Sequence, residues 1–265
     1  MWKNRVRRSF VSVVLGMVLV HAAAARQAVA AATDELPPIH IAFVGDSMAD
    51  GLWGAMFRRL GKDHCLAGKI KLIRRARNGS GLTRLDQYNW VDEVGALAAD
   101  PGPDLFVGSF GINDRQSIVD AAKVRTEYGG PDFDSRYQGL VENVVQNAIA
   151  HGGSILVMGL PVMLDAAANT DAMTKNRLFA AAVAHVGSPR AVYVAPWESH
   201  PGVDQYEPFL PNANNAMVQV RAPDGIHFTT AGYDMVMDTF FPSIMDSLKQ
   251  RGRDVASECQ RMGER

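Results

Sequence analysis

Five short apolar runs, each ended by a glycine-bearing or polar turn and separated by stretches with helical spacing, constrain this 265-residue chain most. His40–Val44, Ile70–Ile73, Asp104–Val107, Ser154–Met158 and Ala191–Val194 are too short for helices and rich in β-branched residues, which marks them as buried strands. Between them, Met48–Leu60 places Leu52, Met56 and Leu60 on one helical face, and Leu82–Ala99 reads as broadly helical. Ser135–Ala150 aligns Leu140, Val144, Val145 and Ala148; Asp171–His185 and Thr230–Leu248 are further helices. Strand–helix alternation of this kind predicts an α/β fold with a mostly parallel five-stranded sheet covered on both faces. Arg115–Pro131 is a polar connection, and Leu160–Asn176 reads as a long loop or a flexible lid. No internal repeat or linker divides the chain, so residues 31–265 are expected to form one domain.

Residues 1–30 stand apart. Lys3, Arg5, Arg7 and Arg8 precede an apolar stretch from Phe10 to Val20 and an alanine-rich segment with small residues at Ala28 and Ala30. This is the pattern of a secretory signal peptide cleaved after Ala30, its apolar centre being shorter than the ~20 residues of a bilayer span. The expected location is therefore periplasmic or secreted, with membrane contact only through this segment if it is retained. In an oxidising compartment Cys65 and Cys259 can form one disulfide, or remain two thiols; sequence alone leaves both open. A formal net charge of −1 gives no reason to expect nucleic acid as a partner. Neither cysteine and none of the seven histidines sits in a metal-ligand spacing, so no metal or cofactor is expected.

In a parallel sheet, ligands bind where loops gather at the carboxyl ends of the strands. Gly45-Asp46-Ser47, Asn78–Gly81 and Gly111-Ile112-Asn113-Asp114 all follow predicted strands and so belong at one edge. Ser47, at a strand-to-helix junction, suits a nucleophile whose developing charge the helix start favours, while Asp46 or Ser47 equally suits a helix cap. Gly79 and Gly81 let backbone N–H groups approach an oxygen, or simply make a turn. The Asn113 amide can donate to an oxyanion. Near the C-terminus, Asp224-Gly225-Ile226-His227 follows Pro223; three positions apart, the carboxylate can orient the imidazole that deprotonates a serine. Asp50, Trp53 and Arg115 lie near these motifs in sequence and are candidates for contacting substrate, as is Arg221, which can bind an anionic group or pair with a carboxylate. Trp53 and Trp197 can stack on a sugar ring, though a core tryptophan is the commoner role.

The order of these blocks resembles the SGNH/GDSL hydrolase family across roughly residues 38–248. Phe110–Gln116 and the approach Val220–Pro223 to Asp224-Gly225-Ile226-His227-Phe228 resemble its DUF459 branch of mostly exported bacterial proteins. The resemblance implies a three-layer α/β/α, flavodoxin-like sandwich. It implies Ser47 as nucleophile, His227 as base and Asp224 as its orienting acid. The oxyanion hole would comprise the Ser47 N–H, the Gly81 N–H and the Asn113 side chain, with no metal. Gly81 rather than Gly79 matches the second block. Met48 stands where many members carry Leu or Ile, a swap of similar volume. The expected substrate is a small-molecule or glycan ester, with acetyl removal from envelope or extracellular carbohydrate in view. An O-acyltransferase on envelope glycans and a non-catalytic glycan-binding protein are the alternatives.

Overall fold

The computed structural model describes residues 36–99, 101–195 and 205–263. Residues 1–30, expected from sequence to be a signal peptide, and Trp197 lie outside the described residues. All elements below belong to one compact unit, Pro38–Arg265.

Strands β1 (Ile39–Gly45), β2 (Ile70–Ala76), β3 (Leu105–Ser109), β6 (Ser154–Met158) and β7 (Ala191–Val194) form an all-parallel sheet in the order β2-β1-β3-β6-β7. Every side chain of β3 and β6 is buried, as strands covered on both faces require. Helices α1 (Ser47–Leu60) and α6 (Thr230–Gln250) pack on one face, where Phe43, Leu52, Met56, Val107, Phe240 and Ile244 share a core. Helices α3 (Trp90–Ala98), α4 (Phe133–Ile149) and α5 (Ala166–Val186) cover the other, around Phe106, Trp90, Tyr137, Val144 and Phe179. The expected three-layer α/β/α architecture is therefore present. Short helices α2 (His64–Lys69) and α7 (Val255–Gly263), which the periodicity did not reveal, are joined by a Cys65–Cys259 disulfide with Cα atoms 5.7 Å apart.

Two expectations are corrected. The helix expected over Leu82–Ala99 starts only at Trp90, capped by the Asn89 side chain. Upstream, the Leu82 and Thr83 N–H groups donate to the Asp114 carboxylate at 2.9 and 3.2 Å, and Val119 N–H donates to Thr83 O at 2.7 Å. Those long-range partners override the local helical pattern. The second correction concerns Leu160–Asn176, which is neither a lid nor a long loop. Asp165 caps α5 one residue before Ala166, and the Asn176 amide bonds both the N–H and the C=O of Leu160 at 2.6 and 2.8 Å. Within the polar Arg115–Pro131 connection, β4 (Ile118–Val119) pairs antiparallel with β5 (Arg125–Thr126). A second hairpin, β8 (Phe209–Pro211) with β9 (Met217–Gln219), precedes the Asp224 turn.

Candidate active site

The three glycine-bearing turns meet at the carboxyl edge of the sheet, as expected. At the end of β1 the backbone passes so close to β3 that a Cβ on Gly45 would lie 1.7 Å from Ser109 O. Gly45 has φ +129°, a conformation L side chains rarely adopt, so only glycine fits there. Asp46, wholly buried, then caps α1: its Oδ1 accepts from the Met48 N–H at 2.9 Å, and Oδ2 from the Ile112 N–H at 3.4 Å. Because Asp46 takes the capping role, the Ser47 hydroxyl is left for other work. Burial lifts the Asp46 carboxyl to about 8 against the pull of Met48 N–H, with repulsion from Asp114 adding to the rise.

The Ser47 hydroxyl lies 2.7 Å from His227 Nε2, and His227 Nδ1 lies 2.6 Å from Asp224 Oδ2. The other Asp224 oxygen accepts from the Ile226 and His227 N–H groups at 2.9 and 3.0 Å. One carboxylate thus fixes both the imidazole and the backbone that carries it. Burial pulls the Asp224 carboxyl upward. The Ile226 N–H, the His227 ring and the His227 N–H together outweigh that and hold it below the ordinary carboxylate value.

On the other side stands a polar cluster built on Asp114, which is fully buried. Its carboxylate accepts from Leu82 N–H, Thr83 N–H, the Thr83 hydroxyl at 2.8 Å and the Tyr137 hydroxyl at 2.9 Å. This packs the carboxylate against Gly81, where a Cβ would meet Asp114 Oδ1 at 1.9 Å. Gly79, by contrast, has open space around it. The Gly81 N–H donates to no acceptor among the described residues. The Ser47 N–H, in the first turn of α1, is one that helix geometry leaves without an intrahelical acceptor. Asn113 donates one amide hydrogen to Ser80 O at 2.8 Å, which orients the side chain and leaves its second N–H.

The four candidate substrate contacts are placed as follows. Asp50 is engaged by Arg74 in a two-pronged ion pair of 2.6 and 2.8 Å, and the Arg74 guanidinium lies 5.0 Å from the Trp53 ring centre. Trp53 itself stacks on Phe57 at 5.5 Å along the edge of the α1–α6 core. Arg115 is exposed and faces Asp165 at 3.5 Å. Arg221, 5% exposed, pairs with no carboxylate among the described residues. Its guanidinium donates to the carbonyls of Val162 at 2.7 Å, Ile226 at 2.8 Å and His227 at 3.4 Å, between the Tyr206 and Phe228 rings. It holds the loop that carries the imidazole instead of facing the cleft. Sequence reading missed this role, and those of Asp46 as a tie between two turns and Asp114 as a third anchor. The only sequence signal for them is their place in or near the motifs, Asp46 beside Ser47, Asp114 beside Asn113 and Arg221 three positions before Asp224. No group of three or more His, Cys, Asp or Glu among the described residues is placed to hold a metal ion.

The fold is that of the SGNH/GDSL hydrolases. The chain resembles a solved acetyl xylan esterase at TM-score 0.54 and 15% identity, covering 78% of this chain and 100% of that one. A carbohydrate esterase family 3 protein from Talaromyces cellulolyticus matches at TM-score 0.53 and 12% identity, covering 80% and 99%. A GDSL-like lipase from Bacteroides thetaiotaomicron matches at TM-score 0.51 and 16% identity, covering 86% and 98%. No curated protein matches the sequence. The family model described as "Protein of unknown function (DUF459)" matches residues 40–243, most of the chain, and the protein belongs to that family.

Proposed function

We propose that the protein is an exported serine esterase that removes small acyl groups, acetyl foremost, from carbohydrate. The unbroken relay from Ser47 Oγ through His227 to Asp224 carries this reading. Ser47 Oγ attacks the ester carbonyl as its proton passes to His227 Nε2. The tetrahedral oxyanion receives hydrogen bonds from the Ser47 and Gly81 N–H groups and the Asn113 amide. His227 then protonates the departing alkoxide, breaking the C–O bond and leaving the acyl group on Ser47. Water, deprotonated by His227, attacks the acyl-enzyme; the acyl–Oγ bond breaks, the acid leaves, and His227 returns the proton to Ser47 Oγ. Asp224 keeps the imidazole in the tautomer whose Nε2 is free to accept a proton.

Acetylated xylan and acetylated xylooligosaccharide are the substrates named for two of the structural relatives, each at 15% identity, and that is the support for the substrate class. For export, the support is the leader-like sequence of residues 1–30 together with the Cys65–Cys259 disulfide, since such bonds persist in oxidising compartments. Hydrolysis of p-nitrophenyl acetate and longer-chain esters by the protein and by Ser47→Ala tests the reading. Turnover fastest on the short ester, and lowered on the order of 10⁶-fold in Ser47→Ala, is expected. Equal rates in the two proteins would remove Ser47 as the nucleophile.

A further inference from the structure

Beside the Gly81 turn lies a cleft of about 210 Å³, lined by Arg77, Arg84, Gln87, Tyr88 and Gln116 as well as the Asn78–Gly81 backbone. It shares Gly81 with the candidate oxyanion site, and two of its lining residues bond to the turns that carry the rest of that site. The Arg77 N–H donates to Gly45 O at 2.8 Å, two residues before Ser47, and Gln116 Nε2 donates to Asn113 O at 2.8 Å. Two guanidinium groups line it and no carboxylate does. Their states differ. Arg84 is held by Asp86 at 2.8 and 3.0 Å, and that carboxylate is shared with Lys123 at 3.0 Å. Arg77 pairs with no carboxylate among the described residues; it lies against the Tyr88 ring, 4.4 Å from its centre. Stacking on a ring fixes a guanidinium and leaves its in-plane N–H fork for a ligand, the geometry that suits carboxylate and phosphate. The surrounding amides of Asn78, Gln87 and Gln116 suit hydroxyl groups more than an acyl chain.

We infer that this cleft receives the alcohol part of the ester, and that this part is an anionic sugar or polyol whose carboxylate or phosphate is bound by Arg77. The inference rests on the serine esterase reading for the position of the scissile bond. It narrows the substrate from carbohydrate esters in general to charged ones.

The test compares kcat/KM on three probes: an O-acetylated methyl hexuronoside, its neutral methyl ester, and an O-acetylated hexose 6-phosphate. At low salt the protein should prefer the uronate or the phosphate over the neutral ester by about tenfold or more, as one charge-assisted contact provides. Which anion is preferred identifies the source of the charge. In Arg77→Ala the charged-to-neutral ratio should fall to about one, and Arg77→Lys should restore part of it. Simple structural damage would lower all three rates and leave the ratio intact. A ratio of one in the unaltered protein, or a preference that survives Arg77→Ala, would overturn the inference. Calorimetry of trigalacturonate and of glucose 6-phosphate binding to Ser47→Ala, with and without Arg77→Ala, reads the same difference without turnover. If none of the esters is hydrolysed, the esterase reading fails on its own, and anion binding that depends on Arg77 still decides the character of the cleft. Binding unaffected by Arg77→Ala, or no binding of either anion, would then overturn it.

Discussion

The two halves of the Ser47–His227 pair are supported in different ways. Ser47 follows directly from a central strand; Gly45 and Asp46 are both buried, and the Asp46 N–H bonds Ser109 O on the neighbouring strand at 3.0 Å. His227 sits on a turn outside the sheet, held by backbone bonds among Ala222, Gly225 and His227 and by the three carbonyls that Arg221 gathers. The position of Ser47, the proposed nucleophile, is therefore a by-product of the sheet, while His227, the proposed base, depends on a few side chains recruited for it. A parallel sheet supplies one rigid edge; whatever must reach that edge from the far end of the chain needs its own scaffold.

This contrast sets out an order of effects. On the base side, Asp224→Asn should lower kcat on the order of 10⁴-fold with the fold intact, because the amide favours the wrong imidazole tautomer. Steady-state kinetics beside a circular dichroism spectrum would show it; a loss under tenfold would mean that the turn alone orients His227. Across the cleft, Asn113→Ala removes one oxyanion donor and should cost 10²–10³-fold in kcat with little change in KM, read on the same ester.

Arg221→Met removes the guanidinium donor from the carbonyls of Val162 and Ile226, and one of the two donors to His227 O, in a partly buried turn. Stability should fall by about 3 kcal/mol in urea unfolding, and kcat should fall as well. If stability drops and kcat holds, the base does not depend on Arg221 for its position, and the contrast between the two halves weakens.

The smallest effect, taken per pH unit, concerns the Ser47 side. With its folded-state value raised to about 8, Asp46 holds a proton in the native state through a window in which the unfolded chain has lost it. The stabilisation is fully present below about pH 4 and lost as pH rises towards 8, by no more than about 1.4 kcal/mol per pH unit. Asp46→Asn, the neutral isostere, should flatten that part of the stability–pH curve measured by thermal unfolding. An unchanged slope would assign the pH dependence to another group.

What was legible in the sequence follows the same division. Ser154–Met158 and Ala191–Val194 match their strands residue for residue, because short apolar runs bounded by turns have few other uses. The Asp224–His227 turn is legible because its two candidate side chains are only three positions apart. Leu82–Asn89 is not legible as a loop because Leu82 and Leu85 keep helical spacing while the Leu82 and Thr83 N–H groups answer to Asp114, 32 and 31 residues away. The start of α5 was missed because Ala166–Ala168 give no amphipathic signal and the Asp165 cap shows only in three dimensions. For Arg221 the sequence suggests an anionic ligand or a carboxylate partner, because it displays the charge but not the carbonyls it serves. The Cys65–Cys259 bond, spanning 194 residues, was equally beyond local reading.

The central claim is that Ser47 becomes acylated. Rapid acid quench of the protein with p-nitrophenyl acetate, followed by mass spectrometry of its peptides, tests this most directly. The account predicts an acetyl group on the Ser47 peptide, accumulating with the first release of p-nitrophenol and absent from Ser47→Ala. Acetylation at another residue that supports turnover, or turnover in Ser47→Ala at an undiminished rate, would contradict it.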